Sequence, residues 1–402
     1  MKQLFIEYQP YYTRTAYAVD GKLKEIYIDP TGETTRVGHI YVGRVKNILP
    51  GQFAFIDIGA ERNAFVNLAR NHTIKKGDPL LIQIYKEAYE DKGAYGGQQL
   101  KLKGRYVIIQ DSHRGEIGVS SKITNPQTRA LLRGAVYDVL REIHHQQGEK
   151  TYGAIVRTNA HECDEATIAD EVRQLIQVHA TIKKRAVFTR PPLLLYPTSQ
   201  QEHLTWLNDF TTDDLDELWV ASSTDTAPTI EAIKVQAPHL KNAIFTHDIE
   251  KSGDFFETFH FTHQIKRALQ KKVNLPCGGY LTIEQTEACV VIDVNTGAYS
   301  GAQDFRAAIV RTNNEAAIAI AEQLTLRNLS GIVIIDFIDM KDQVDKKNLL
   351  HVLATAIKND RIKTELVGMT ELGLVQLTRR KTRPSLERML QITAQTHTKT
   401  PK

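Results

Sequence analysis

Cysteine is scarce: Cys163, Cys277 and Cys289 are the only three in 402 residues, and none forms a C-x-x-C pair. A disulfide framework and a thiolate zinc site are therefore excluded, and a reducing compartment fits. Long apolar runs are missing as well. No stretch of about 18 apolar residues is present to cross a bilayer, and MKQLFIEYQPYYTRTAYAVD lacks the unbroken apolar segment of a signal peptide. The expected location is cytoplasmic, with no membrane partner. Charge of one sign is lacking: 51 Lys+Arg against 47 Asp+Glu leave +4, too little to argue for nucleic acid by itself. Neither a G-x-x-x-x-G-K-[ST] loop, nor an H-E-x-x-H pair, nor a dinucleotide fingerprint occurs. That counts against ATP-driven and zinc-peptidase chemistry.

What is present is ordinary globular usage, 42% hydrophobic and 24% charged, in a chain long enough for about two to four domains. The opening 30 residues show short apolar and aromatic segments punctuated at Asp20-Gly21 and Asp29 to Gly32, which predicts an antiparallel meander. From Val37 to Leu68, strand-like stretches broken by Pro50-Gly51 and Gly59 predict a small barrel of strongly bent strands. Helical periodicity follows over 126–145 and 166–186, with the strand YGAIVRTNA (152–160) between them. The last third predicts a helix in FETFHFTHQIKRALQ, a hairpin in GGYLTIEQTEACVVIDVNTG, a long helix from Phe305, and a buried strand GIVIIDFIDM that ends in acid. Strand-helix-strand order there implies a sheet covered by helices, with functional groups at strand ends. TAQTHTKTPK lacks apolar anchors and is expected to fray.

Two acidic motifs are the candidates for chemistry. Asp293 and Asn295 are two residues apart on a strand and share a face. Asp336 closes the apolar run GIVII, where an unpaired carboxylate is expensive to bury, so it belongs at a sheet edge or beside a cation. On neighbouring strands these residues would make an oxygen-only cluster suited to Mg²⁺ or Mn²⁺ and poorly suited to zinc. Spacing alone leaves an alternative open, since Asp and Asn also serve as strand-end caps and turn formers.

Phe55 and Phe65 fall at alternating barrel positions and would serve either as stacking platforms for unpaired bases or as core. The residues alone favour core. Arg44, Lys46, Lys92, Lys101 and Lys103 supply basic company. TRRKTR (378–383), containing Arg379 and Arg380 and joined by Lys271 and Lys272, suits phosphate contact or plain solvated surface. Arg157 and Thr158 end a strand, where a guanidinium and a hydroxyl would grip a phosphate or make an ordinary loop salt bridge.

Taken together, YVGRVKNILPGQFAFIDIGAERNAFVNL, YGAIVRTNA, VVIDVNTGAYSG, GIVIIDFIDM and ELGLVQLTRRKTRPSL resemble the ribonuclease E/G family over nearly the whole chain to about Leu390, most closely its compact G type. The resemblance implies an α/β (mixed α+β) fold: an RNase H-like subdomain with an inserted S1/OB-type β-barrel, followed by a DNase I-like catalytic subdomain. The implied division is 1–36 and 121–210 for the RNase H-like subdomain, the latter with a 5′-phosphate sensor. It gives 37–120 to the barrel, 211–390 to the catalytic part and 391–402 to a disordered tail. By the same resemblance, Asp293 and Asp336 match metal-binding catalytic aspartates and Asn295 their support. Arg157 and Thr158 match the 5′-monophosphate sensor. Phe55 and Phe65 match RNA-binding aromatics, with Lys92 joining them.

The implied activity is Mg²⁺-dependent hydrolysis of single-stranded RNA, favouring 5′-monophosphorylated substrates, in rRNA processing or mRNA decay. The competing expectation is a non-catalytic S1-domain RNA-binding protein or a ribosome-assembly factor. Members of the best-known type carry a C-x-x-C zinc link after the TRRKTRPSL-like segment. Here that segment runs into QITAQTHTKTPK without cysteine, so no zinc is expected and a homodimer would have to form without it.

Overall fold

The computed structural model describes residues 1–402 except 10–11, 31–36, 69–72, 89–91, 113, 148–151, 198–206, 208–214, 223–229, 232, 235–239, 241–242, 250–252, 298–304, 359 and 399–402. Two compact units result. One comprises Met1–Gly32, Leu215–Ala232 and Leu240–Lys402, the other Glu33–Asp214 and Ile233–His239.

The first unit opens with the predicted meander, β1 (Lys2–Gln9), β2 (Tyr12–Val19) and β3 (Lys22–Pro30). Asp20 and Gly21 both take positive φ, 50° and 72°, in the two-residue loop joining the paired residues Val19 and Lys22. Asp-Gly is the pair that such a hairpin turn demands, because both central residues lie in the left-handed region.

In the second unit, β4 (Ile40–Leu49), β5 (Phe53–Asp57), β6 (Ala64–Asn67), β7 (Pro79–Lys86) and β8 (Tyr95–Gly97) pair in the order β4-β5-β6-β8-β7. Strand β7 pairs again with β4, closing a five-stranded barrel of OB type. Gly43 allows β4 to bend onto β5, since a Cβ there would stand 2.8 Å from the Asp57 carbonyl oxygen. Val45, Ala54, Ile56, Ala64, Val66, Ile82 and Ile84 fill the interior. The barrel is complete by Gly97, short of the expected boundary at 120. Instead β9 (Lys101–Lys103), β10 (Val107–Asp111), β11 (Ile117–Val119) and β12 (Tyr152–Val156) form a separate sheet in the order β11-β12-β10-β9. Helices α1 (Pro126–Gln147) and α2 (Glu165–Phe188) pack on it, burying Val136, Val139, Ile168, Val172 and Ile176 against Val107, Ile109 and Val156. Asp164 caps α2 by accepting the Thr167 N–H at 2.6 Å. Strand β13 (Leu193–Tyr196) returns to pair with β4.

The chain then rejoins its first sheet. Strands β14 (Glu217–Ser222) and β15 (Ile244–Asp248) add in parallel beside β1, giving the order β15-β14-β1-β2-β3. This corrects the expected division, because residues 1–30 share their sheet with 217–248 and not with 121–210. The partner of an edge strand is chosen by long-range packing that local sequence does not encode. The helix expected in FETFHFTHQIKRALQ is two, α3 (Phe255–Thr258) and α4 (Phe261–Ala268), broken where His260 adopts φ 59°. The break lets Phe259 and Phe261 both meet Phe5, each with ring centroids 4.7 Å away.

The remaining strands, β16 (Lys272–Asn274), β17 (Tyr280–Gln285), β18 (Cys289–Asn295), β19 (Gly331–Asp336), β20 (Thr364–Met369) and β21 (Val375–Arg379), form a six-stranded sheet ordered β16-β17-β18-β19-β21-β20. Only β18 and β19 are parallel, and α5 (Phe305–Leu326) makes the crossover. With α6 (Gln343–Ile357), α5 covers one face, burying Leu281, Ile292, Val333, Ile335 and Leu377. Full burial of Val333 and Ile335 contributes about 1.5–3 kcal/mol each. The opposite face meets solvent. Ile332 is 53% exposed, so β19 is buried on one face only, which corrects the expectation of a fully buried strand. A run without alternation reads as buried on both sides, but here one apolar set simply faces outward.

The last helix, α7 (Leu386–Thr398), extends well into the segment expected to be disordered from 391. Leu386, Met389 and Thr393 are buried at helical spacing, and the helix packs on β3. One buried stripe suffices to order it.

Candidate functional site

Asp293 and Asp336 are register partners on the parallel neighbours β18 and β19. Partners in register share a face, and adjacent strands lie about 4.8 Å apart, so the two carboxylates stand side by side at the carboxyl ends of both strands. Alternation sets their direction: Ile292, Val294 and Ile335 enter the core, while Asp293 and Asp336 are exposed. Asn295 shares the face of Asp293, and its Nδ2 donates to Asp293 Oδ2 at 2.7 Å. Among the described residues, neither carboxylate has a salt-bridge partner.

Two described segments beside the acids are held in place. Gly278 and Gly297 both have positive φ, and a Cβ on Gly297 would collide with the Gly278 carbonyl oxygen, so the turn before β17 seats directly against the exit of β18. Asn313, fully buried on α5, donates to the Ile338 carbonyl at 2.8 Å and accepts its N–H at 3.1 Å. Those two hydrogen bonds fix the segment after Asp336 at Ile338, next to Asp339, which is exposed. Sequence reasoning passed over Asn313. Its signal was the polar TNNE interruption in an otherwise apolar helix face.

The donor set consists of two carboxylates and one amide. Among the described residues no cluster of three or more His, Cys, Asp or Glu exists that would hold an ion entirely by protein ligands. A hard cation that keeps most of its water, as Mg²⁺ does on one or two carboxylates, fits this set, and a thiolate- or imidazole-seeking metal does not.

On the barrel, β5 alternates so that Ala54 and Ile56 are interior while Phe53 and Phe55 face out. Phe55 is 37% exposed. The choice of core suggested by the residues alone is therefore corrected: Ala54, Ile56, Ala64 and Val66 take the interior positions, and alternation along β5 and β6 turns the phenylalanines away from them. Phe65 lies between Phe53 (centroids 4.9 Å, near-parallel), Phe55 (5.6 Å) and Tyr95 (6.2 Å). Phe53 and Tyr95 were not singled out from sequence, although Phe53 is two residues from Phe55 and so shares its face. Lys86 stands over Tyr95 at 5.9 Å, and Lys92 is exposed next to residues 89–91, which lie outside the described residues. Lys46 instead pairs with Asp57 at 3.1 Å. The Gly59 N–H, together with Lys46, holds the Asp57 carboxyl below its usual range.

Arg157 and Thr158 follow β12 directly. Arg157 Nη1 donates to the Gly104 and Arg105 carbonyls at 2.7 and 3.0 Å. The same turn gives the N–H groups of Arg105, Tyr106 and Val107 to the Glu171 carboxylate at 2.6, 2.8 and 2.8 Å. Thr158 Oγ1 lies 2.9 Å from Ser120 Oγ. Guanidinium and hydroxyl are thus positioned by a clamped loop.

The basic TRRKTR segment divides in two. Arg379 is 2% exposed, donating to Asp360 at 2.6 and 3.2 Å and to Asn328 Oδ1 at 2.8 Å. It is a core cation and not an RNA contact, which corrects that expectation; the period-2 alternation of β21 turns it inward. Arg380, one residue on, is exposed.

The chain is 34% identical to Ribonuclease G of Escherichia coli over 410 aligned residues, spanning 96% of this chain and 81% of that protein. Ribonuclease G of Haemophilus influenzae is 33% identical with the same coverage. Ribonuclease E of Nostoc is 32% identical over 86% of this chain and 51% of its own length. The profile of the Ribonuclease E/G family matches residues 101–382, and with relatives this similar along almost its whole length, the chain belongs to the ribonuclease E/G family.

Proposed function

We propose that the protein is a divalent-metal-dependent endoribonuclease that hydrolyses phosphodiester bonds in single-stranded RNA. The observation that carries this reading is the in-register pair Asp293–Asp336, two like charges side by side on an exposed sheet face without a protein cation among the described residues. Such a pair is costly unless a cation joins it. Asp293 and Asp336 would hold Mg²⁺, with Mn²⁺ as substitute. When bound, the ion supplies charge neutralisation at the phosphodiester and an activated nucleophilic water. Asn295 keeps Asp293 in one orientation through the 2.7 Å bond, and Asn313 fixes the loop beyond Asp336. Both reduce the reorganisation needed at the moment of reaction.

The barrel's aromatic row of Phe53, Phe55, Phe65 and Tyr95, with Lys86 and Lys92 near it, would stack unpaired bases in a sequence-tolerant way. Arg157 and Thr158 would receive a 5′-monophosphate by charge-assisted hydrogen bonds, favouring substrates that carry one. Relatives named Ribonuclease G and Ribonuclease E support the reaction class and RNA as the partner. Processing of rRNA precursors and mRNA decay are the cellular roles that fit it, in the cytoplasm, with a homodimer formed without zinc. In this reading the RNase H-like subdomain is the sheet of 1–30 with 217–248, the S1-type barrel is 40–97, and the DNase I-like part is the sheet bearing the two acids.

The test is a 5′-monophosphorylated single-stranded RNA incubated with the full chain and Mg²⁺, beside Asp293→Asn and an EDTA control. Internal cleavage lost in both controls is expected. Cleavage that survives Asp293→Asn unchanged would sink the reading, and binding without any cleavage would favour a non-catalytic RNA-binding protein.

A further inference from the structure

Register extends the row of acids across two further strands. Lys272 on β16 pairs with Thr282 on β17, Thr282 with Asp293 on β18, and Asp293 with Asp336 on β19. Because register partners share a face, all four side chains rise from the same solvent-facing side of one sheet, with Lys272 roughly 10 Å of backbone from Asp293. The next row repeats the pattern: Asn274, Tyr280 and Asn295 are also in register.

The two adjacent lysines at the head of this row differ. Lys271 is committed to Glu284, Nζ to Oε1 at 2.9 Å. Lys272 has no carboxylate partner among the described residues. Its ammonium stands 3.9 Å from the centroid of the Tyr280 ring, the register neighbour of Asn295. A ring face holds a cation in place while leaving its N–H groups to other acceptors. A carboxylate would have neutralised it instead.

We propose that Lys272, propped on Tyr280, contacts a phosphate of the RNA strand adjacent to the one at Asp293 and Asp336, and so fixes the strand's path across the sheet. A cation at that distance supplements the acids without competing for their ion. Its hydrogen bonds would go to phosphate oxygens, which carry position and no base identity. This rests on the nuclease reading above for the identity of the site, but its test does not.

The experiment compares wild type, Lys272→Ala, Lys272→Arg and the paired-lysine control Lys271→Ala, all as full chains with matching thermal melts. One arm measures binding of a fluorescein-labelled single-stranded oligoribonucleotide in EDTA across a salt series. The other measures single-turnover cleavage with Mg²⁺ as RNA concentration rises. For Lys272→Ala, affinity is expected to fall about three- to tenfold and the log–log salt slope to shrink by about 0.7, the loss of one single-strand phosphate contact. Half-saturation in the cleavage arm should rise by the same factor, with the saturating rate nearly kept. Lys272→Arg should restore the slope, and Lys271→Ala should change neither. An unaltered slope and affinity in Lys272→Ala, with wild type still cleaving, would overturn the proposal and leave the nuclease reading intact. A loss confined to the saturating rate would overturn it as well. Should wild type not cleave at all, the nuclease reading fails, and the binding arm still decides the lysine by its slope.

Discussion

The two ends of the six-stranded sheet treat charge in opposite ways. At the amino end of β19, where Gly331 pairs with Arg379, a guanidinium is sealed in the core against Asp360 and Asn328. At the carboxyl end, where Asp293 pairs with Asp336, two carboxylates face solvent without a protein cation among the described residues. The first arrangement is closed: Arg379 has its counter-charge, Asp360, inside the chain, so it specifies structure. The second is open, and in the reading proposed above its counter-charge is a metal ion from outside. Charged motifs on one sheet thus differ in whether the protein itself neutralises them, and the proposed function assigns the open one to chemistry.

The largest effect should come from the open end. Asp336→Asn is expected to reduce single-turnover RNA cleavage by roughly 10²–10⁴-fold, while urea stability stays level or rises by up to about 1 kcal/mol because one of two like charges on register partners is removed. A variant that lost activity by unfolding would erase the contrast between the ends. The closed end should behave inversely. Arg379→Ala leaves Asp360 buried without its cation and should cost about 3–5 kcal/mol in denaturant titration, and Arg379→Lys should recover little because it lacks the fork that reaches both Asp360 oxygens. Arg380→Ala, next along the chain but exposed, should leave stability within about 0.5 kcal/mol.

Away from the sheet ends, Phe65→Ala should weaken oligoribonucleotide binding by about 1–3 kcal/mol, since Phe65 joins Phe53, Phe55 and Tyr95 into one platform. Unchanged binding would mean that the barrel's outward aromatics do not stack bases.

The smallest effect concerns Glu322 on α5, which bridges Lys22 and Lys24 of β3 at 2.7 and 2.6 Å. Burial alone would raise its carboxyl, but the two lysines outweigh it and hold the group below its usual range. A depressed carboxyl stabilises the fold above its unfolded value of about 4.3, and that stabilisation is lost as pH falls through the folded value. Glu322→Gln should thus cost under about 1 kcal/mol at pH 7, discounted for solvent exposure, and progressively less as the pH falls below the unfolded value. Stability curves of the two proteins that run parallel across that range would contradict it.

Much of this was legible beforehand for reasons that are local. Asp-Gly at 20–21 specifies its turn because few residues accept positive φ, and the period of two placed Asp293 and Asn295 on one face before any strand was paired. What misled was the same alternation left without a phase. TRRKTR reads as one basic patch, yet successive residues of a strand point to opposite faces, so Arg379 and Arg380 part company. FAFID reads as core until its phase is known: Ala54 and Ile56 take the interior positions, which turns its phenylalanines outward. The C-terminal segment lacks aliphatic density, yet three contacts at helical spacing order it.

By itself the sequence determined which residues were candidates for chemistry, the strand or helix on which most of them sit, and which lie on a common face, because these follow from spacing along one element. Only the tertiary structure decided which strand lies beside which. Strand pairing joins residues as distant as Asp293 and Asp336, Lys2 and Val19, or Gln3 and Glu217 by hydrogen bonds that any backbone can make. The choice among them is made by the packing of whole faces.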